Sequence, residues 1–90
     1  MDKITIVVPC YNEEDALEYF YAEMKKVMEK MQEVCFELLF VDDGSKDQTL
    51  AKLRTLSELD PRCRYLSFSR NFGKEAAIYA GLSHASGDYI

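Results

Sequence analysis

Hydrophobic residues along the chain fall into two alternating patterns, apolar runs and helical repeats. Apolar runs occupy residues 4–8 and 35–41, and runs without polar alternation are typical of strands buried on both faces in a parallel sheet. A third run, residues 64–68, alternates in part, which predicts a strand nearer the sheet edge. Residues 88–90 have the pattern expected at the start of a fourth strand.

Between the runs, apolar residues recur every three or four positions, which predicts amphipathic helices on the sheet. The first helix is expected to begin at Asn12 as N-cap, with the acids of 13–15 in its first turn. A capping box of Ser45 and Gln48 is expected to open the second helix, which Pro61 ends. Residues 86–87 are expected to end the third helix. The repeating positions are Leu17, Phe20, Met24, Val27, Met28 and Met31, then Leu50, Leu53 and Leu56, then Ala77, Ile78, Gly81, Leu82 and Ala85.

The alternation of strand and helix predicts an α/β fold, Rossmann-like and three-layered, with right-handed parallel crossovers. The expected strand order is 3-2-1-4, so residues 9–11 and 42–43 share a crevice at the carboxyl edge of the sheet, where such folds bind ligands. Ninety residues are few for a sheet covered on both faces. We therefore expect a fragment whose fourth strand is truncated.

Composition excludes several classes of function. The net charge is -5, with 16 acidic and 11 basic residues, whereas a nucleic-acid binder would present a basic surface. The three cysteines are widely spaced, which favours buried thiols in a reducing compartment over a zinc site. No apolar run approaches the length of a membrane span, so we expect the segment itself to be soluble and cytosolic.

The candidate chemistry lies at the carboxyl edge. Asp42 and Asp43 end the central strand, and adjacent carboxylates require hydrogen-bond donors or a ligand. Tyr11 offers an aromatic face to a nucleobase whose N–H groups would donate to Asp43. Arg70 and Lys74 flank a loop at the same edge and suit phosphate oxygens. Structural roles remain open for all of them: a turn cap, a packed aromatic ring and solvated cations.

The turn after the first strand excludes two common phosphate sites. Residues 10–14 contain no glycine and two acids, so neither a dinucleotide fingerprint nor a P-loop is present. The residues alone therefore indicate a nucleotide-binding α/β half-domain.

Several stretches together resemble the N-terminal part of family 2 glycosyltransferases of the GT-A fold. They are VVPCYNEE at 7–14, VDDGS at 41–45 and SRNFGKEAA at 69–77, with Gly81-Leu82 and Gly87-Asp88. RNFGKEAA most resembles the polyprenyl-phosphate group, which contains bactoprenol glucosyltransferases and dolichol-phosphate mannose synthases. The resemblance covers nearly the whole chain in order.

This resemblance implies roles for seven residues in nucleotide binding and for none in catalysis. Those that would line the nucleoside pocket are Pro9, Tyr11 and Glu13. Asp43 would accept a hydrogen bond from the base, and Asp42 would hold the turn. Arg70 and Lys74 would lie near the diphosphate or the acceptor phosphate.

The resemblance also implies a reaction. The parent enzyme would transfer a hexose with inversion from a nucleotide sugar to a polyprenyl phosphate or other acceptor. UDP-hexose is the favoured donor, and GDP-mannose is the alternative. Mg or Mn would be held by a DxD motif beyond Ile90, so we expect no metal on the fragment. Residues 1–90 would be the nucleotide-binding part, lacking the acceptor part and inactive alone. The parent would act at the cytoplasmic face, membrane-associated through other segments.

Other interpretations remain open. A non-catalytic nucleotide-binding or self-associating module would keep the half-fold without turnover. A nucleotidyltransferase is disfavoured, because its first loop would usually be glycine-rich and basic. The uncovered edge of the first strand, with apolar surface around Ile4, Ile6 and Val8, predicts a homo-oligomer.

Overall fold

The structure is a computed structural model, and it describes residues 2–90. Strands and helices alternate along the chain. The elements are β1 (Lys3–Cys10), α1 (Leu17–Lys30), β2 (Cys35–Asp42), α2 (Thr49–Leu59), β3 (Cys63–Ser67) and α3 (Lys74–His84). None of the helices within the described residues is long and apolar enough to cross a membrane.

The three strands form one parallel sheet with β2 in the centre and β3 at an edge, as predicted. On the far side of β1, Tyr89 makes an isolated parallel bridge to Ile4. The backbone N–H of Thr5 donates to the Tyr89 carbonyl at 2.8 Å, and the Asp88 N–H donates to the Lys3 carbonyl at 2.7 Å. The segment after α3 therefore lies along the start of β1, while the full 3-2-1-4 order stays a prediction.

The predicted three layers are confirmed. On one face of the sheet, Leu38 and Phe40 pack with Leu17 of α1 and Leu53 of α2 in the main core. On the other face α3 lies so close that a methyl group on Gly81 would overlap Val7 and contact Val41. Three predicted helix core positions are instead exposed: Val27 near the end of α1, Met31 at its C-cap, and Leu82 in α3.

The predicted N-cap at Asn12 is wrong. The cap of α1 is Ala16, and the acids at 13–15 precede the helix. Asn12 adopts a left-handed conformation with φ 52°, and its side chain accepts a hydrogen bond from the backbone of Lys46. The chain therefore turns before the helix begins.

The predicted capping box is also wrong. Helix α2 is capped at Gln48, whose side chain makes no capping hydrogen bond. The Asp47 carboxylate accepts from the backbone N–H of Thr49 at 2.9 Å, and Ser45 bonds to the loop after β1. Ser45 therefore connects the loop after β2 to the loop after β1.

Glu37 lies inside the apolar run of β2, is 3% exposed, and is the centre of a polar network. It accepts hydrogen bonds from Thr5 Oγ1, Arg64 Nη1 and Ser86 Oγ, each at 2.9 Å, and Lys3 Nζ lies at 3.6 Å. Burial alone would raise the pKa of this carboxyl, but the hydrogen bonds outweigh it and lower the pKa to about 2. The network attaches the segment after α3 to β1, β2 and β3.

Gly44, in the turn after β2, packs against the loop between β3 and α3. Its φ is +70°, a conformation that residues with a Cβ rarely adopt. A Cβ there would overlap the backbone of Arg70 and Asn71. The absence of a side chain therefore lets the two loops meet.

We expect the Glu37 network to make the fold sensitive to acid. The pKa of Glu37 falls from 4.5 to about 2 on folding, so its stabilisation is complete above pH 4.5 and is lost as the pH falls through about 2. The shift corresponds to roughly 3 kcal/mol. Urea unfolding of wild type and Glu37→Gln between about pH 2 and pH 7 measures it, the difference in unfolding free energy shrinking toward low pH. A difference that does not change with pH would contradict the assignment.

The Gly44→Ala substitution is expected to destabilise the fold by roughly 2–5 kcal/mol, because left-handed strain adds to overlap with the backbone of residues 70–71. Gly73→Ala is a comparison variant without overlap, because Gly73 has φ +102° and ψ 156°, which strain an alanine, but no atom lies within 4 Å of a Cβ there. Urea unfolding measures both losses. A loss below about 1 kcal/mol for Gly44→Ala would mean that the overlap relaxes with little cost.

Candidate functional site

A cleft of about 220 Å³ opens at the carboxyl edge of the sheet. It brings together parts of three segments: the end of β1 with the loop that follows, the turn after β2, and the start of α3. Five of the seven predicted site residues line it, and Asp42 and Arg70 do not. The lining residues are Pro9, Cys10, Tyr11, Glu13, Asp43 and Lys74.

The Asp43 carboxylate forms one wall of the cleft and is 3% exposed. Its Oδ1 accepts from the Phe72 backbone N–H at 2.8 Å. Its Oδ2 accepts from the Gly73 N–H at 3.0 Å and from the Asn71 side-chain amide at 3.2 Å. The carboxylate thus holds the loop between β3 and α3 at the end of β2.

Asp42 does not line the cleft and is 1% exposed. Its Oδ1 accepts from the Ser45 backbone N–H at 3.3 Å, and its carbonyl accepts from the Phe68 N–H at 2.9 Å. In this position the side chain supports the turn after β2.

The loop after β1 is hydrogen-bonded to the loop after β2, and we call this set of contacts the loop clasp. The Asn12 N–H donates to Ser45 Oγ at 2.9 Å, and the Lys46 N–H donates to Asn12 Oδ1 at 2.8 Å. The Glu13 N–H donates to Thr49 Oγ1 at 2.8 Å. The clasp fixes the loop that carries two cleft-lining side chains.

Tyr11 and Cys10 offer different chemistry to the cleft. The Tyr11 side chain is 41% exposed, so its ring is available to a ligand. Cys10 is buried, and burial, with the charges of Asp42 and Glu13, raises the pKa of its thiol to about 12. A thiol in that state is neutral near pH 7 and is therefore not a nucleophile.

The two predicted cations differ in position. Lys74, the first residue of α3, lines the cleft, whereas Arg70 stacks on the Phe72 ring with its guanidinium carbon 4.7 Å from the ring centroid. Both are exposed, and within residues 2–90 neither forms an ion pair with an acid. Their charges therefore remain available to an anion.

The acids of the site do not fit a divalent metal ion. No group of three or more His, Cys, Asp or Glu side chains suited to a metal occurs in the described part of the chain. Asp42 and Asp43 are buried and bonded to backbone N–H groups, whereas Mg²⁺ and Mn²⁺ require several accessible oxygen ligands.

Cys10 lines the cleft, in agreement with the crevice expected at residues 9–11. Sequence reasoning missed two features of the site, the backbone donors of residues 72–73 and the loop clasp. Gly73 beside the cationic loop was the available signal for the backbone donors, and the clasp has no local signal.

Comparison with known proteins gives concordant results. The family described as Glycosyl transferase family 2 matches residues 5–90. The bactoprenol glucosyl transferase of Shigella phage SfV is 49% identical over 89 residues, which are 98% of this chain and 28% of that protein. The prophage bactoprenol glucosyl transferase homolog of Escherichia coli K12 is 47% identical over 88 residues, again 98% of this chain and 28% of that protein.

A solved structure is similar in fold. It is the mannosyltransferase PcManGT from Pyrobaculum calidifontis, in complex with GDP-Man and Mn²⁺. The TM-score is 0.77 at 26% identity, and the match covers 97% of this chain and 25% of that one. This chain therefore spans about a quarter of the length of the proteins it matches. Because the family match covers almost all of its residues, the chain belongs to glycosyl transferase family 2.

Proposed function

We propose that the cleft binds the nucleoside diphosphate part of a nucleotide sugar and that the protein contributes this donor site to a hexosyltransferase. The supporting observation is the meeting of an exposed aromatic ring, a carboxylate and a cation, those of Tyr11, Asp43 and Lys74, in one cleft. These groups match a base, its N–H donors and a phosphate.

The size of the cleft supports a nucleoside as its occupant. Its volume, about 220 Å³, is below the roughly 300–1,000 Å³ of pockets that enclose a drug-sized ligand. A base with its ribose would be held there, and the diphosphate and sugar would extend beyond it. Lys74 and Arg70, on either side of residues 71–73, would then meet the phosphates.

The hydrogen bonds already made by Asp43 favour uracil as the base. A carboxylate has about four lone-pair positions, and three are taken by Asn71, Phe72 and Gly73, two of them on Oδ2. One position remains, on Oδ1. Uracil offers a single donor, N3–H, whereas the pairing edge of guanine offers N1–H and the N2 amino group together. We therefore propose UDP-hexose as the donor over GDP-mannose.

The reaction proposed for the complete enzyme is an in-line displacement with inversion. An oxygen of a polyprenyl phosphate forms a bond to the anomeric carbon as the bond from that carbon to the diphosphate breaks. The acceptor is already an anion and needs little general-base help. The cations of residues 70 and 74 would bind the phosphates, and a divalent ion, Mg or Mn, would be held outside residues 2–90.

This proposal gives residues 1–90 a limited task. They would form the nucleotide-binding part, with the acceptor site supplied elsewhere in a membrane-associated enzyme at the cytoplasmic face. One finding supports this division of the enzyme: the match covers 98% of this chain but only 28% of each of these relatives. The 90-residue chain alone would show no transfer of hexose to lipid phosphate.

Self-association is proposed as a second property. Alternate residues of β1 direct their backbone groups away from β2, and residues 88–89 use those of Lys3 and Thr5. The corresponding groups of Val7 lie further along the same open edge, where a strand of a second copy could pair. Apolar surface around Ile4, Ile6 and Val8 is only partly buried.

The donor site is tested by titrating the 90-residue chain with UDP, GDP and NAD and following amide NMR shifts. We expect UDP to shift residues around Tyr11 and Asp43, GDP to bind at least about tenfold more weakly, and NAD to leave the cleft unchanged. Tyr11→Ala should raise the Kd for UDP roughly tenfold, because base stacking contributes about 1–3 kcal/mol.

Tyr11→Phe is the matched control, since it keeps the ring and removes only the hydroxyl group. Its Kd for UDP should stay within about a factor of two of wild type, because stacking uses the ring face. Equal losses in the two variants, or no shift with any nucleotide, would contradict the proposed site. A preference for GDP would refute only the choice of base.

Self-association is tested by light scattering over a concentration series. We expect the apparent mass to rise toward a dimer or larger species as concentration increases, because edge pairing is a mass-action equilibrium. A constant monomer mass up to the highest concentration would contradict it.

A further inference from the structure

We propose that Asn12 is a positioning residue whose contacts in the loop clasp set Tyr11 and Glu13 in the nucleoside cleft. The inference rests on the proposed function, because it assumes that a nucleoside occupies the cleft. Asn12 itself does not line the cleft. Its role would be exerted through the two residues that flank it.

The backbone of Asn12 supports this role. Within residues 2–90 it is the one non-glycine residue with a positive φ, 52°. Asparagine enters the left-handed region more readily than most residues with a side chain. The bend at this residue lets Tyr11 and Glu13 both line the cleft while the Asn12 amide contacts the loop after β2.

The hydrogen bonds of Asn12 connect that bend to the rigid centre of the sheet. Its N–H donates to Ser45 Oγ at 2.9 Å, and its Oδ1 accepts from the Lys46 N–H at 2.8 Å. Ser45 is in turn held by Asp42, which ends β2 and is 1% exposed. The position of the Tyr11 ring therefore depends on a chain of contacts that starts at the central strand.

A hydrogen bond at the other end of the sheet provides a control that distinguishes a positioning role from an effect on overall stability. The Tyr21 hydroxyl donates to Asp60 Oδ2 at 2.7 Å, joining α1 to the turn before β3. None of the cleft-lining residues takes part in this bond. Tyr21→Phe thus removes a partly buried hydrogen bond without touching the cleft.

The test compares Asn12→Gly with Asn12→Asp by NMR titration with uridine and with UDP. Glycine allows the left-handed conformation but lacks the acceptor for the Lys46 N–H, so the Kd for both should rise roughly three- to tenfold, the effect of one hydrogen bond. Aspartate keeps both the left-handed conformation and the acceptor oxygen. The Kd of Asn12→Asp for uridine should stay within about a factor of two of wild type, because uridine carries no charge that the new carboxylate would repel.

Thermal unfolding of the same variants and of Tyr21→Phe provides the control. Tyr21→Phe should lower the Tm and leave the Kd for uridine unchanged. If Asn12→Gly does not fold, Ser45→Ala, which removes the acceptor for the Asn12 N–H, replaces it and should also raise the Kd. Wild-type affinity in Asn12→Gly or its replacement, or a raised Kd in Tyr21→Phe, overturns the positioning role alone. Absence of binding by the wild type overturns the proposed function as well.

Discussion

The Asp43 carboxylate sits where a charge is costly unless donors surround it, because the residue is 3% exposed at the end of the central strand. Its donors are Asn71, Phe72 and Gly73, all in the loop that precedes α3. The hydrogen bonds that satisfy this one buried charge therefore fix the loop between β3 and α3. Since α3 begins at the next residue, Lys74, the same hydrogen bonds determine where that cation meets the cleft.

Asp42, the last residue of β2, and Asp43, the first residue after it, share this edge without competing for hydrogen-bond donors. Asp43 is bonded to the loop after β3, whereas Asp42 is bonded to Ser45 and, through it, to Asn12 in the loop after β1. Each acid thus secures one wall of the cleft. Gly44 follows the two acids. Because it has no side chain, the turn after β2 can contact the backbone of the loop between β3 and α3.

The sequence predicted the strands, the layers and the edge at which the site lies, because buried strands require apolar runs and parallel strands end at one edge. It wrongly predicted helix caps at Asn12 and Ser45, because the hydrogen-bond partners that these residues use instead are 33 and 34 residues away in the chain. Glu37 was overlooked for the same reason. Its partners Arg64 and Ser86 lie 27 and 49 residues away, and one acid in an apolar run carries no local signal.

The two ends of the sheet use polar residues in opposite ways. Around Glu37 the charges are paired within the protein, and no buried side-chain nitrogen or oxygen of residues 2–90 lacks a hydrogen-bond partner. At the carboxyl edge the ring of Tyr11 is 41% exposed, and Lys74 and Arg70 have no acidic partner among the described residues. The paired groups around Glu37 contribute to stability, whereas the exposed groups at the carboxyl edge are available to a ligand. Stability and the proposed nucleotide binding should therefore be separable by mutation at these two places.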